Sequence, residues 1–266
     1  MSQRISILGC GWLGFPLAKS LVADGFYVKG STTTLDRLEL LSDAGIQPFL
    51  INLDVDLING KIDSFLSESD VLIIAIPPKR KSPEVDSFHD KINRLIQHIE
   101  KSTVKKLLFI SSTSVYGNAE GMINELTKPN PETESGKQLV EVENLLKQNK
   151  NFKYTILRFG GLVGVNRNPV KYLVDKANTD ASAPINLIHQ DDAIGVIQEI
   201  ISQGVWEETL NAVAPFYPTR QEYYSQKAKE LNLPKPIFTE EKTMAYKVIS
   251  SEYLQKRLNY TFKIKV

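Results

Sequence analysis

The chain has 266 residues, 42% hydrophobic and 24% charged, a globular composition with material for a sizeable core that excludes disordered and fibrous classes. Lysine plus arginine number 32 against 31 aspartates and glutamates, a formal charge of +1, so nucleic acid is not an expected partner. One cysteine, Cys10, and three scattered histidines, His89, His98 and His189, give neither an internal disulfide nor metal-ligand spacing. No apolar run reaches the roughly 18 residues of a membrane span, and glycines break the N-terminal apolar stretch; a cytoplasmic protein is expected.

The pattern along the chain alternates between strand and helix. Arg4 to Leu8 is a short apolar strand entering a glycine cluster, after which Leu13, Leu17, Leu21 and Val22 recur at helical spacing until Gly25. Strands follow at Tyr27 to Ser31, Gln47 to Leu53 and Asp70 to Ile76, the last ended by Pro77 and Pro78, with a helix over Leu35 to Ala44. Phe88, Ile92, Leu95, Ile96 and Ile99 mark a helix over Asp86 to Lys101; Lys106 to Ile110 is a buried strand, Gly136 to Lys147 a helix and Tyr154 to Phe159 a strand. Further on, Pro169 to Ala177 reads as helix, Ile185 to His189 as strand, Asp192 to Ser202 as helix capped by Asp192, Thr209 to Val213 as strand and Arg220 to Leu231 as helix. The remainder is a polar mixed segment packing on the sheet as a lid.

Strands apolar on both faces and separated by amphipathic helices imply an α/β fold: a Rossmann-type, doubly wound parallel sheet with a small C-terminal substrate or lid region. Residues 1–165 read as the dinucleotide-binding domain. Residues 166–266 hold the remaining sheet elements and the C-terminal region, within one globular unit.

Gly9-Cys10-Gly11-Trp12-Leu13-Gly14 is a GxGxxG loop placed after the first strand and opening the first helix. The first glycine permits a tight turn, the second lets backbone approach a pyrophosphate, and the third lets helix pack on strand. The helix N-terminus then offers free N–H groups to the anion. At the end of the second strand, Gly30-Ser31-Thr32-Thr33-Thr34 has no carboxylate, and Arg37 lies just beyond. Hydroxyls with a nearby arginine favour NADP over NAD. The bland alternative is that Thr34 caps a helix and Arg37 is solvated, with Cys10 and Trp12 as packing residues. Ile76 and Pro77, at a strand end, are placed over the cofactor, whereas Lys79-Arg80-Lys81 reads as a solvated turn.

Leu107 to Gly117 contains Ser111-Ser112-Thr113-Ser114-Val115-Tyr116-Gly117, which resembles the SSxxVYG segment of extended short-chain dehydrogenases/reductases, the group of nucleotide-sugar epimerases and dehydratases. Asp54-Val55 resembles that group's adenine-contacting pair, Leu157-Arg158-Phe159 the segment before the nicotinamide, and Ile188 to Asp192 its H(x)DD stretch. The resemblance spans roughly residues 4 to 200 and implies that Ser112 is the serine that hydrogen-bonds the reacting oxygen. Two departures stand out. Aligned through Glu143, Ser135 stands where the family has its catalytic tyrosine and Leu139 where it has the lysine four residues later. Thr113 and Ser114 likewise replace the dehydratases' Asp-Glu pair. What remains for chemistry is Ser112 with Tyr116, plus Glu134 or Ser135 across the cleft; a phenol beside a nicotinamide cation is expected to have a lowered pKa. The bland alternative, of equal weight, is that Ser111 to Ser114 satisfy loop backbone groups and Tyr116 is a packing residue. Such a pattern is similar to the atypical subgroups of that superfamily.

Three functions follow from these residues. The first is an NAD(P)-dependent oxidoreductase or epimerase acting on a small carbohydrate-like molecule. The second is a dinucleotide-binding sensor without turnover, favoured by the lost tyrosine and lysine. The third, a hydroxyisobutyrate-type dehydrogenase, rests on Gly9 to Gly45 but requires an all-helical C-terminal domain that the alternation over Ile185 to Val213 opposes. Tyr217, Tyr223, Tyr224 and Tyr246 line the substrate side or, for the middle two, pack in the core.

Overall fold

β1 (Arg4–Leu8) runs through the centre of the molecule, its side chains alternating between two apolar layers. Ile5 and Ile7 face the layer built with α1 (Gly14–Ala23), whereas Leu8 faces the opposite one. Ser6, fully buried on that second face, satisfies its hydroxyl against Ser69 and the Phe65 carbonyl. The structure, a computed structural model, describes residues 3–78, 87–174, 177–178, 180–238 and 246–266. The basic stretch Lys79-Arg80-Lys81 lies outside the described residues.

After α1 the chain forms β2 (Tyr27–Thr32), α2 (Arg37–Asp43) and β3 (Gln47–Leu50). The single strand predicted over Gln47 to Leu53 divides here. β4 (Asn52–Leu53) turns away and pairs antiparallel with β5 (Ile58–Asn59), because Gly60, at φ +110°, folds so closely on Leu50 that a Cβ would lie 2.1 Å from its carbonyl oxygen. A short helix, α3 (Ile62–Leu66), leads to β6 (Val71–Ile74), then α4 (Phe88–Glu100), capped by Ser87, and β7 (Lys106–Ser112). β8 (Gly121–Ile123), α5 (Glu134–Gln148), β9 (Lys153–Phe159) and β10 (Gly161–Val163) follow.

The expected helix over Pro169 to Ala177 is one 3₁₀ turn, Pro169–Tyr172, capped by Asn168. It buries only Val170, and Asn178 then ties the chain into β11 (Ala177–Asn178) by donating to the carbonyls of Leu173 and Ile237. β12 (Leu187–His189), α6 (Gln190–Gln203), β13 (Glu208–Ala212), α7 (Arg220–Glu230), β14 (Ile237–Phe238), β15 (Lys247–Ile249) and α8 (Glu252–Leu258) complete the chain.

β13, β9, β7, β6, β1, β2 and β3 form one seven-stranded parallel sheet in that order. The winding reverses between β1 and β6, so a crevice opens at the carboxyl ends of these two strands, and the glycine loop leaves β1 directly into it. Leu17, Leu21, Val196, Ile197 and Leu254 cover one face; Phe65, Ile92, Leu95, Val142 and Leu146 cover the other. Among the described residues no helix is long and apolar enough to cross a membrane.

Candidate functional site

The three glycines of the loop have different physical reasons. Gly9 takes φ +101°, and a Cβ there would strike Ile76 Cγ2 at 2.5 Å. Gly14 lets the helix close on the strand, since its Cβ would lie 2.1 Å from the Gly9 carbonyl oxygen. Gly11 has no such constraint: its φ is not positive and no protein atom lies within 4 Å of its ideal Cβ. The protein itself does not require glycine at position 11, which opens into the cavity beside it.

Hydrogen bonds sort the loop further. The Gly9 N–H donates to Ser31 Oγ at 2.9 Å, the Cys10 N–H to the Ser31 carbonyl at 2.8 Å and the Gly11 N–H to the Gly9 carbonyl at 2.8 Å. Ser31 therefore braces the loop from β2. For Trp12, Leu13 and Gly14, no backbone acceptor is found among the described residues, and α1 starts on Leu13 without a side-chain cap or an acidic residue in its first turn. These free N–H groups at the positive end of a ten-residue helix form an anion-ready surface. Trp12 is held in place, its Nε1–H donating to the Val165 carbonyl at 3.1 Å with the Arg167 guanidinium 4.9 Å above its ring. Cys10 is a packing residue; burial pushes its thiol up to about 12.

A cavity of about 460 Å³ adjoins the loop. Of the residues expected to bind a dinucleotide, it brings together Gly9, Cys10, Gly11, Ser31, Thr32, Thr33, Arg37, Ile76 and Pro77. Trp12, Leu13 and Gly14 sit just behind, at the helix start. Asp54 does not join them: it is exposed in the β4–β5 turn, its carboxylate accepting from the Val55 N–H, and Asn52 and Leu53 line the cavity instead. Arg37 is pinned across the opening by donating from Nη2 to the Cys10 carbonyl at 3.0 Å and by stacking on Phe15. Thr34 does not cap α2; its N–H and hydroxyl both engage Thr32 Oγ1, and the helix starts after Asp36. Lys91 also lines the cavity, so two cations and no carboxylate face it among the described residues.

At the end of β7 the serines divide. Ser111 is buried and donates to Glu143 Oε1 at 2.7 Å, whereas half-buried Ser112 accepts from the Ser114 N–H at 3.1 Å. Ser135 lies in the first turn of α5, its hydroxyl 3.3 Å from Thr133 Oγ1, and a Cβ on Gly136 would approach the Ser114 carbonyl to 3.1 Å. The first turn of α5 thus packs on the loop that follows Ser112. Leu139 is 4% exposed within the apolar layer of Phe109 and Val115.

Tyr116 requires a correction. It is fully buried, its hydroxyl donates to Asn211 Oδ1 at 2.9 Å and accepts from Arg158 Nη1 at 2.8 Å, and burial pushes its pKa up rather than down. Its hydroxyl holds a core network together instead of acting as a base. Tyr116→Phe should therefore cost about 1–3 kcal/mol in urea denaturation, by orphaning Arg158 and Asn211, and leave nucleotide affinity unchanged.

His189 rather than Asp192 caps α6, with Nδ1 accepting from the Asp191 N–H. Asp192 is buried because its carboxylate gathers the Tyr260 hydroxyl and the N–H groups of Lys263 and Ile264, fixing the C-terminal segment to α6. Tyr223 and Tyr224 pack in a small apolar cluster, while the Tyr217 hydroxyl donates to the Ile249 carbonyl and Tyr246 bonds Ser182. Lys91, which sequence reasoning missed, sits on the apolar face of α4 between Phe88 and Ile92, a position unusual for a lysine and so the one signal the sequence offered.

Fold and loop together define a dinucleotide-binding α/β protein. A family model described as NAD(P)H-binding matches residues 9–194, and the chain belongs to that family. It is 35% identical over 237 residues to Protein YeeZ of Escherichia coli strain K12, covering 89% of this chain and 86% of YeeZ. Among solved structures, UDP-glucuronic acid 4-epimerase from Bacillus cereus, in complex with NAD, superposes with a TM-score of 0.82 at 17% identity over 99% of this chain and 93% of that one. A short-chain dehydrogenase/reductase superfamily protein from Agrobacterium tumefaciens with bound NAD gives 0.81 at 13% identity, over 99% and 93%. These neighbours share the fold that the resemblance implies. β13 joins the sheet beyond residue 200, so the all-helical C-terminal domain of the third reading is absent among the described residues.

Proposed function

We propose that the protein is an NADP(H)-dependent oxidoreductase or epimerase acting on a carbohydrate-like small molecule. The observation that carries the cofactor half is Gly11, a glycine with no conformational or packing need, opening into a cavity beside the free N–H groups of α1. Trp12, Leu13 and Gly14 would hold the pyrophosphate, and Thr33 and Arg37 the ribose of the adenosine. A bound nicotinamide would supply hydride transfer. Arg37 and the absence of a carboxylate in the described cavity lining support NADP over NAD. Epimerase neighbours support a sugar-containing substrate, with Ser112 and Ser135 as its hydroxyl contacts.

Calorimetric titration with NADPH and NADH at one salt concentration tests the reading, with NADPH expected to bind more tightly. Arg37→Met should lower NADPH affinity about 10- to 100-fold relative to NADH, the worth of a charge-assisted hydrogen bond. Equal affinities in the wild type would refute the cofactor assignment. The sensor reading keeps one specific support, Leu139 built into the apolar layer where the family lysine would stand. Nicotinamide absorbance change with a panel of sugar nucleotides separates the two.

A further inference from the structure

Basic and acidic residues balance along the chain as a whole, yet five lysines converge at the amino ends of two central strands. Lys106 opens β7 and Lys153 opens β9, and the parallel register sets the two opposite each other. The Lys153 N–H donates to the Lys105 carbonyl at 2.9 Å, which fixes Lys105 at the same corner. Lys147, in the last turn of α5, and Lys150, just past its end, complete the group. All five line one cavity of about 490 Å³, and Glu207 is the one carboxylate among the described residues of its wall.

The carboxylates around this cavity are already engaged. Glu207 pairs with Lys153 at 3.5 Å. Glu143 lies 3.8 Å from the Lys147 amine but is bound to Arg158 through both of its oxygens. Glu100 accepts from the side-chain amides of Asn149 and Asn151, two further residues of the wall, at 2.7 and 2.8 Å. Lys105, Lys106 and Lys150 make no ion pair among the described residues, and the Lys106 amine lies 5.6 Å from the centre of the Trp206 ring. Like charges set directly opposite on neighbouring strands repel, and a concave wall concentrates their field. An anion carrying several charges relieves that repulsion. The cavity shares no lining residue with the one beside the glycine loop, which opens at the carboxyl ends of the strands.

We propose that this lysine-lined cavity is a second ligand site, which takes a compact polyphosphate: an inorganic triphosphate chain or the triphosphate tail of a nucleotide. Lysine suits that ligand, because its ammonium is a point charge with three donors that meets phosphate oxygens from several directions. The volume is that of a small-molecule site, and a concave wall favours a compact anion over a flat anionic surface. Lys105, Lys106 and Lys150 carry the binding, since no carboxylate competes for them, and Lys147 and Lys153 turn from long ion pairs to the ligand. The inference goes beyond the dinucleotide reading and does not depend on it.

Calorimetric titration of the full chain with sodium tripolyphosphate, the probe, tests the site. Saturable binding is expected, and Lys106→Met combined with Lys150→Met should weaken it about 10- to 100-fold, whereas Lys229→Met, on α7, should leave it unchanged. Methionine keeps an apolar stem in place of the lysine's, and urea denaturation checks that the double variant is folded. A parallel titration with ATP identifies the source of the phosphates from the binding that the double variant loses: tighter for ATP, a nucleotide tail; tighter for tripolyphosphate, the inorganic chain. No binding at about 50 mM salt, where screening is weak, or binding that the folded double variant retains in full, would overturn the proposal. So would sedimentation with phosphatidylserine vesicles by a protein that ignores tripolyphosphate, since the lysines would then face a membrane surface. NADPH affinity is expected to be unchanged in the double variant. A wild type that fails to bind NADPH would sink the dinucleotide reading and leave the tripolyphosphate result standing.

Discussion

Gly11→Val is expected to abolish dinucleotide binding, a loss of at least about 100-fold in affinity, while leaving urea stability within about 0.5 kcal/mol of wild type. The asymmetry follows from the loop. A Cβ at Gly9 or Gly14 would collide with protein atoms, so those changes would confound folding with binding. At Gly11 the added side chain enters open space on the cavity side, at a backbone conformation open to any residue. Only a ligand lying against the loop would feel it. Unchanged NADPH affinity in a folded Gly11→Val protein would show that the pyrophosphate lies elsewhere.

Arg158→Met should give the largest stability loss, about 3–5 kcal/mol, because it strips a buried carboxylate of its two guanidinium hydrogen bonds and leaves it the Ser111 hydroxyl and the more distant Lys147 amine, 3.8 Å away. Arg158 and Glu143 are each 1% exposed, joined through Arg158 Nε to Glu143 Oε1 at 3.0 Å and Nη2 to Oε2 at 2.5 Å. Ser111 and Tyr116 extend the network from β7 and the loop after it, so its loss would also loosen the strand end that carries Ser112. Replacing both partners, Arg158→Met with Glu143→Leu, should cost less than Arg158→Met alone, since no charge is then stranded. Urea denaturation at constant m-value measures both. A single variant within about 1 kcal/mol of wild type would mean that the pair is solvated in solution.

Long elements were legible because their periodicity is set by burial on two faces, as in β1, β6 and α4. Elements of two or three residues were not. β4 and β5 exist because Gly60 folds onto Leu50, and β15 because β8 offers it an edge; neither contact leaves a periodic trace. In the candidate site the glycine loop was readable from spacing alone, and Arg37 from its place beyond β2. Tyr116 misled because a phenol after a serine strand looks available until Arg158 and Asn211 are seen bonded to its hydroxyl. Asp192 misled for a similar reason, its carboxylate serving a chain segment some seventy residues downstream rather than its own helix end.

A crystal of the wild-type protein grown with NADPH tests the central claim most directly. Density is predicted with the pyrophosphate over Gly11 against the N–H groups of Trp12, Leu13 and Gly14, and with the 2′-phosphate beside Thr33 and Arg37. The nicotinamide should point toward Ser112. Density for the nucleotide away from the Gly9–Gly14 loop, or none at saturating NADPH, would contradict the account.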